Sequence, residues 1–120
     1  YTGDFTFNGS VNNDWNNKNN WNSMLKPGIT DEVTIPVGQN VNVNANAYAK
    51  NAMINGNVNL VTGNLDLYGY ALMNNNAKIT LNTNNLNLKG ANSSLVCCLI
   101  CTFSIPGTVC KAGNFFLRSF

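Results

Sequence analysis

Eight short triplets punctuate the chain, each an apolar residue, any residue and a second apolar residue. They are Val33-Thr34-Ile35, Val41-Asn42-Val43, Ala52-Met53-Ile54, Val58-Asn59-Leu60, Leu65-Asp66-Leu67, Ala71-Leu72-Met73, Ile79-Thr80-Leu81 and Leu86-Asn87-Leu88. A period of two is the period of a strand. Gly, Asn and Thr stand between the triplets, as in Asn55-Gly56-Asn57, Thr62-Gly63-Asn64 and Asn74-Asn75-Asn76, and these residues accept the backbone angles of bends. A strand of three residues turns two side chains inward and buries nothing useful by itself, so the triplets must stack on one another.

Grouping three triplets per turn gives offsets of about 19 to 21 residues, relating 33 to 52, 52 to 71, 58 to 79 and 65 to 86, within the range of coiled repeats. The reading is all-β: a fragment of a right-handed parallel β-helix, or β-solenoid, with coils ~4.8 Å apart and inward Val, Ile and Leu piled into columns. A β-sandwich would need strands of about five or six residues with turns every 8 to 12, and the polar breaks here come sooner. No helical stripe survives the Gly and Asn interruptions. Asn44 to Asn51, rich in Ala, fits a helical turn, a bulged loop or a small-residue strand.

Asn accounts for 26 of the 120 residues. Stacking explains the surplus, because an amide that donates and accepts can bond the Asn one coil away in a ladder. With 44% apolar and 10% charged residues the chain is not a charge-rich disordered tail, and a net charge of +2 leaves no basic stripe for nucleic acid. There is no His, the commonest general base and metal ligand. Leu95 to Cys101, the longest apolar stretch, is far short of the ~20 residues of a membrane span. The chain begins at Tyr1 without an initiator Met or a signal-like apolar run, so export is inferred from other features.

The organisation reads as a cap or lead-in over residues 1–30, solenoid coils over 31–94, and an atypical tail over 95–120. All four Cys and four of the six Phe lie in the tail, but only one Asn does. The break reads either as an extra edge segment or as sequence outside the native frame, which the encoding DNA would decide. Cys97, Cys98, Cys101 and Cys110 have a vicinal pair and no second C-x-x-C, which argues against a four-thiolate zinc site. Disulfides are the next option, for instance Cys101 to Cys110, with the pairing open.

The lead-in carries Trp15-Asn16-Asn17-Lys18-Asn19-Asn20-Trp21, then Pro27-Gly28, then Asp31-Glu32-Val33-Thr34-Ile35-Pro36. This resembles the lead-in module of large secreted, adhesin-like surface proteins of gliding and related Bacteroidetes. There the pattern is W, a few polar residues, NW, a Pro-containing loop, D-x-V-x-I-P and then short β triplets. The resemblance covers residues of about 13 to 94 and implies a cell-surface or secreted location and a longer parent protein. Two uses of the aromatics stand side by side. Trp15 and Trp21 either cap the open end of the solenoid or join Tyr48, Tyr68 and Tyr70 in a glycan-stacking platform. Asp31 is expected to bond backbone amides where the first strand begins, and Pro36 to end that strand.

Catalytic groups are sparse. Asp31 and Glu32 are sequence neighbours that point to opposite faces of a strand, unlike a glycosidase pair. A lyase-like site built on Asp66 with Lys50, Lys78 or Lys89 lacks a second carboxylate. No catalytic residue, metal or cofactor is assigned. The expectation is a non-enzymatic structural or adhesive module of an exported bacterial surface protein, with glycans or other surface polymers and the neighbouring domains of a longer chain as partners. The alternative is a scaffold or carbohydrate-binding accessory part of a larger polysaccharide-degrading enzyme.

Overall fold

The triplets become strands. In the computed structural model, which describes residues 4–74 and 77–90 in full and the backbone of 94–97, 101–105, 108–112 and 115–118, seven of the eight lie wholly within strands. The eighth overruns its strand by Leu81 alone. The strands are β1 (Asp4–Thr6), β2 (Glu32–Ile35), β3 (Asn40–Val43), β4 (Ala47–Ala49), β5 (Asn51–Ile54), β6 (Asn57–Leu60), β7 (Leu65–Leu67), β8 (Tyr70–Met73), β9 (Lys78–Thr80), β10 (Leu86–Leu88), β11 (Ser94–Cys97), β12 (Cys101–Ile105), β13 (Thr108–Ala112) and β14 (Phe115–Arg118). A 3-10 turn at Lys18–Asn20 is the helical element among the described residues. The protein is all-β.

Three sheets form. The first has the order β1-β2-β5-β8-β11-β14, the second β13-β12-β9-β6-β3, and the third β10-β7-β4. From β2 to β12 the chain visits the first, second and third sheets in turn, and each new strand pairs in parallel with the one laid down a circuit earlier. The offsets in the sequence are register partners in space: Val33 lies beside Ala52, Ala52 beside Ala71, Val58 beside Ile79 and Leu65 beside Leu86. The Ala-rich stretch left open by its composition is β4, a small-residue strand that founds the third sheet.

Alternation then sorts the side chains. Val33, Ala52 and Ala71 form one buried column, Ile35, Ile54 and Met73 a second, and Val41, Val58 and Ile79 a third. Small and large residues share the narrow interior, so Ala47 and Ala49 of the third sheet stack beside Leu65 and Leu67. Such columns gain roughly 25 cal/mol per Å² of apolar area buried.

Asn works at the edges of these columns. Asn57 Nδ2 donates to Asn40 Oδ1 at 2.8 Å, Asn82 Nδ2 to Asn59 Oδ1 at 2.8 Å, and Asn74 Nδ2 to Asn55 Oδ1. At the bend before the third sheet the ladder uses backbone donors: Asn64 N–H bonds Asn46 Oδ1 at 3.1 Å, and Asn85 N–H bonds Asn64 Oδ1 at 2.8 Å. Gly56 occupies a bend where circuits press together, and a Cβ there would stand 2.5 Å from the carbonyl oxygens of both Pro36 and Gln39.

The lead-in closes the first circuit from one end. β1 joins the first sheet in parallel beside β2, and Asp14 bridges to Asn42 of β3. Between them Trp15, Trp21, Phe5 and Phe7 are fully buried. Trp21 packs edge-on against Phe7 at 5.2 Å and Trp15 at 5.1 Å between ring centroids, and its indole N–H donates to Trp15 O at 2.8 Å. Asn20 ties the connecting loop. Its Oδ1 accepts from the amides of Val11 and Asn12 at 2.9 and 3.0 Å, while its Nδ2 donates to Asn12 Oδ1 and Asp14 O at 2.6 and 2.9 Å.

Asp31, 6% exposed, accepts from Gly28 N–H through Oδ2 at 2.7 Å just before β2, and Pro36 follows the last residue of β2.

In the tail, β11 and β12 extend the first and second sheets in parallel, then β13 and β14 run back antiparallel upon them. Cys110 is opposite Phe103 and Cys101 opposite Ala112 in this register. Cys98 and the side chains of Cys97, Cys101 and Cys110 lie outside the described residues, so the thiol chemistry does too.

Candidate functional site

The residue just before each triplet of the first sheet points outward, because the triplet's own first residue points in. Register therefore lines up Asp4, Glu32 and Asn51 along the outer face, with Tyr70 next in the column. Thr34 and Met53 flank them. Together these residues line a shallow depression of about 310 Å³.

Hydrogen bonds hold its floor. Asn51 Nδ2 donates to Glu32 Oε1 at 3.1 Å, and Asn51 Oδ1 accepts from the backbone N–H of Tyr70 at 2.8 Å. Gly69 makes the second bond accessible, since a Cβ at that position would collide with Asn51 Oδ1. Tyr70 is left 43% exposed and Met53, which lines the depression with it, 40% exposed. The depression is thus lined by one aromatic ring, one thioether and two carboxylates on a hydrogen-bonded sheet, and one of those carboxylates, Asp4, accepts from Thr6 Oγ1 at 3.4 Å.

The five aromatics expected to form a glycan platform are not one surface. Trp15 and Trp21 are a correction: both are fully buried, since the loop from Phe7 to Trp21 folds over the end of the core and turns the indoles inward, so neither presents a ring face. Tyr48 is exposed on β4 of the third sheet, Tyr68 is half-buried between β7 and β8, and Tyr70 is in the depression on the first sheet. Of the five, Tyr70 is the one that lines the depression.

Asp4, Glu32, Asn51 and Met53 were not singled out as site residues by sequence reasoning. The period held the signal for two of them, because Glu32 and Asn51, like Tyr70, each precede a triplet and share its offset. Asp4 carried no such signal, since the lead-in lies outside the repeat.

A second outward column lies on the third sheet, where Tyr48, Asp66 and Asn87 are register partners. Asn87 Nδ2 donates to Asp66 Oδ1 at 2.8 Å and Lys89 Nζ lies 3.5 Å from Asp66 Oδ2. Of the three lysines considered for a lyase-like site, Lys89 is the one paired with Asp66, while Lys78 is on β9 of the second sheet. Both Asp66 oxygens are thus engaged, one by Asn87 of β10 and the other by Lys89 just after that strand. Among the described residues no group of three or more His, Cys, Asp or Glu is arranged to hold a metal ion, and no helix is long and apolar enough to cross a membrane.

Fold and site together describe an all-β protein of parallel sheets with a tyrosine- and carboxylate-lined depression on an outer face. No protein-family model, curated protein or solved structure matches the chain.

Proposed function

We propose that this chain is a segment of a right-handed parallel β-helix from an exported bacterial surface protein, a non-enzymatic stalk or adhesive module that binds glycans on its outer face. The observation that carries the reading is the exposed Tyr70 ring set beside Glu32, Asn51 and Met53 in one depression. Aromatic faces suit the apolar faces of pyranose rings, and carboxylate and amide oxygens accept from sugar hydroxyls. Stacked parallel strands support this as a mechanism of presentation, because a hydrogen-bonded sheet holds the depression at a fixed place on the outer face. A surface polymer that repeats its sugars would engage many copies of the module through weak contacts that sum by multivalency.

A glycan array probed with the full chain tests it, followed by titration of the best oligosaccharide into Tyr70→Ala. Binding that falls about tenfold or more in the variant, roughly 1.4 kcal/mol, supports the proposal. Absence of binding to every glycan, or binding indifferent to Tyr70, overturns it.

A further inference from the structure

Two Asn–Gly steps occur in the sequence, Asn8-Gly9 and Asn55-Gly56. Such a step carries chemistry of its own, because glycine has no Cβ to shield its nitrogen from the side-chain carbon of the asparagine before it. A five-membered ring closes when that nitrogen attacks that carbon. The fold treats the two steps in opposite ways.

Asn8 is exposed in the lead-in, and its Oδ1 accepts twice from Ser10, from the N–H at 3.0 Å and from Oγ at 2.7 Å. The first of these bonds closes a ring that runs through the Gly9 nitrogen and folds the side chain back over it. Both donors also point at the oxygen on which negative charge gathers during attack, as the donors of an oxyanion hole do. Gly9 N–H is loosely held, for it reaches Asn20 O at 3.3 Å while Asn8 N–H takes the same oxygen at 2.7 Å.

Asn55 is half-buried in the bend between β5 and β6, and Gly56 is buried. Its Oδ1 accepts from Asn74 Nδ2 of the next circuit. The backbone on either side is anchored, Asn55 N–H on Ile35 O at 2.8 Å and Asn57 N–H on Gln39 O at 2.9 Å, and the carbonyls of Pro36 and Gln39 press on Gly56. The backbone rotation that ring closure needs is blocked there.

We infer that Asn8 is a site of spontaneous deamidation through a cyclic imide, and that folding directs the reaction there and away from Asn55. The Gly9 nitrogen gives its proton to hydroxide and bonds Asn8 Cγ. The Cγ–Nδ2 bond then breaks, and Nδ2 leaves as ammonia with a proton from water. Water opens either imide bond and leaves aspartate or isoaspartate at position 8. The isoaspartyl product lengthens the main chain by one methylene between Phe7, whose ring is fully buried against Trp21, and Gly9. Gly9 N–H then loses its place on Asn20 O, so the lead-in loosens as the protein ages.

The test is incubation of the folded full chain at mildly alkaline pH, followed by peptide mapping by mass spectrometry and an enzymatic assay for isoaspartate. The peptide containing Asn8 is expected to convert at least about tenfold faster than the one containing Asn55, and the two rates should converge when the chain is unfolded in urea. Ser10→Ala, whose thermal unfolding verifies folding, should slow conversion at Asn8 by roughly three- to tenfold, less than at an enclosed oxyanion site because water competes. In the converted protein, amide exchange at Val11 and Asn12 should quicken before exchange in the circuits does.

Protection of Asn8 by folding to the same degree as Asn55 would overturn the proposal. Conversion at Asn8 untouched by Ser10→Ala would overturn the role of the Ser10 donors while leaving the selectivity between the two steps standing.

Discussion

In the lead-in one ring, Trp21, packs against Phe5, Phe7 and Trp15, and one amide, Asn20, carries four side-chain hydrogen bonds, whereas the circuits that follow divide the same work among columns. Ile54 has Ile35 on one side and Met73 on the other, and Asn57 has Asn40. Each residue in the circuits thus has a neighbour performing the same task one level away. The lead-in has no equivalents to share its load, because its task is to end a core that would otherwise present open columns to water. Order is concentrated at the end of the array and distributed along it.

That contrast predicts a ranking of substitutions. Trp21→Ala should cost the most, about 3 to 5 kcal/mol in urea unfolding, since it empties the centre of the aromatic cluster. A cost below about 1 kcal/mol would show that the first circuit does not need its cover. Asn20→Ala should follow at roughly 2 to 3 kcal/mol by leaving buried amides without acceptors, and amide exchange at Val11 and Asn12 should quicken before exchange in the circuits does. If both regions quicken together, lead-in and circuits unfold as one unit and the distinction fails.

Within the circuits the effects should be smaller. Gly56→Ala drives a methyl toward the Pro36 and Gln39 carbonyls and should lower stability by about 1 to 3 kcal/mol, read from the denaturation midpoint. Ile54→Val, one methylene from a shared column, should cost about 0.5 to 1.5 kcal/mol. Asn57→Ala should cost least, about 0.5 kcal/mol, because the Asn57–Asn40 bond is exposed and water replaces it. A double-mutant cycle on Asn40 and Asn57 measures that rung directly. A coupling well above 1 kcal/mol would mean the ladders, rather than the apolar columns, hold the circuits in register.

The circuits were legible in the sequence because a stack of parallel strands turns a fixed offset into spatial adjacency. Val33 with Ala52, and Leu65 with Leu86, follow from counting alone, and the Asn surplus followed from the same stacking. The third sheet was half hidden: Ala47-Tyr48-Ala49 has little apolar bulk, and its strand character comes from pairing with Leu65-Asp66-Leu67 rather than from propensity. The site was less legible. Tyr70 was named, but its partners Glu32 and Asn51 are ordinary polar residues until register sets them in one column.

The triplets and their spacing alone determined which side chains face inward and which strands meet, since alternation and period are local properties of the chain. Tertiary structure alone decided what the aperiodic lead-in does. Whether Trp15 and Trp21 face the core or the solvent depends on the path by which the loop returns across the end of the array, set by Asn20 and the Phe7–Trp21 bridge. The same path sets Asp4 beside Glu32, and with it the charge of the depression. No period links those residues, so only the closing of the fold brings them together.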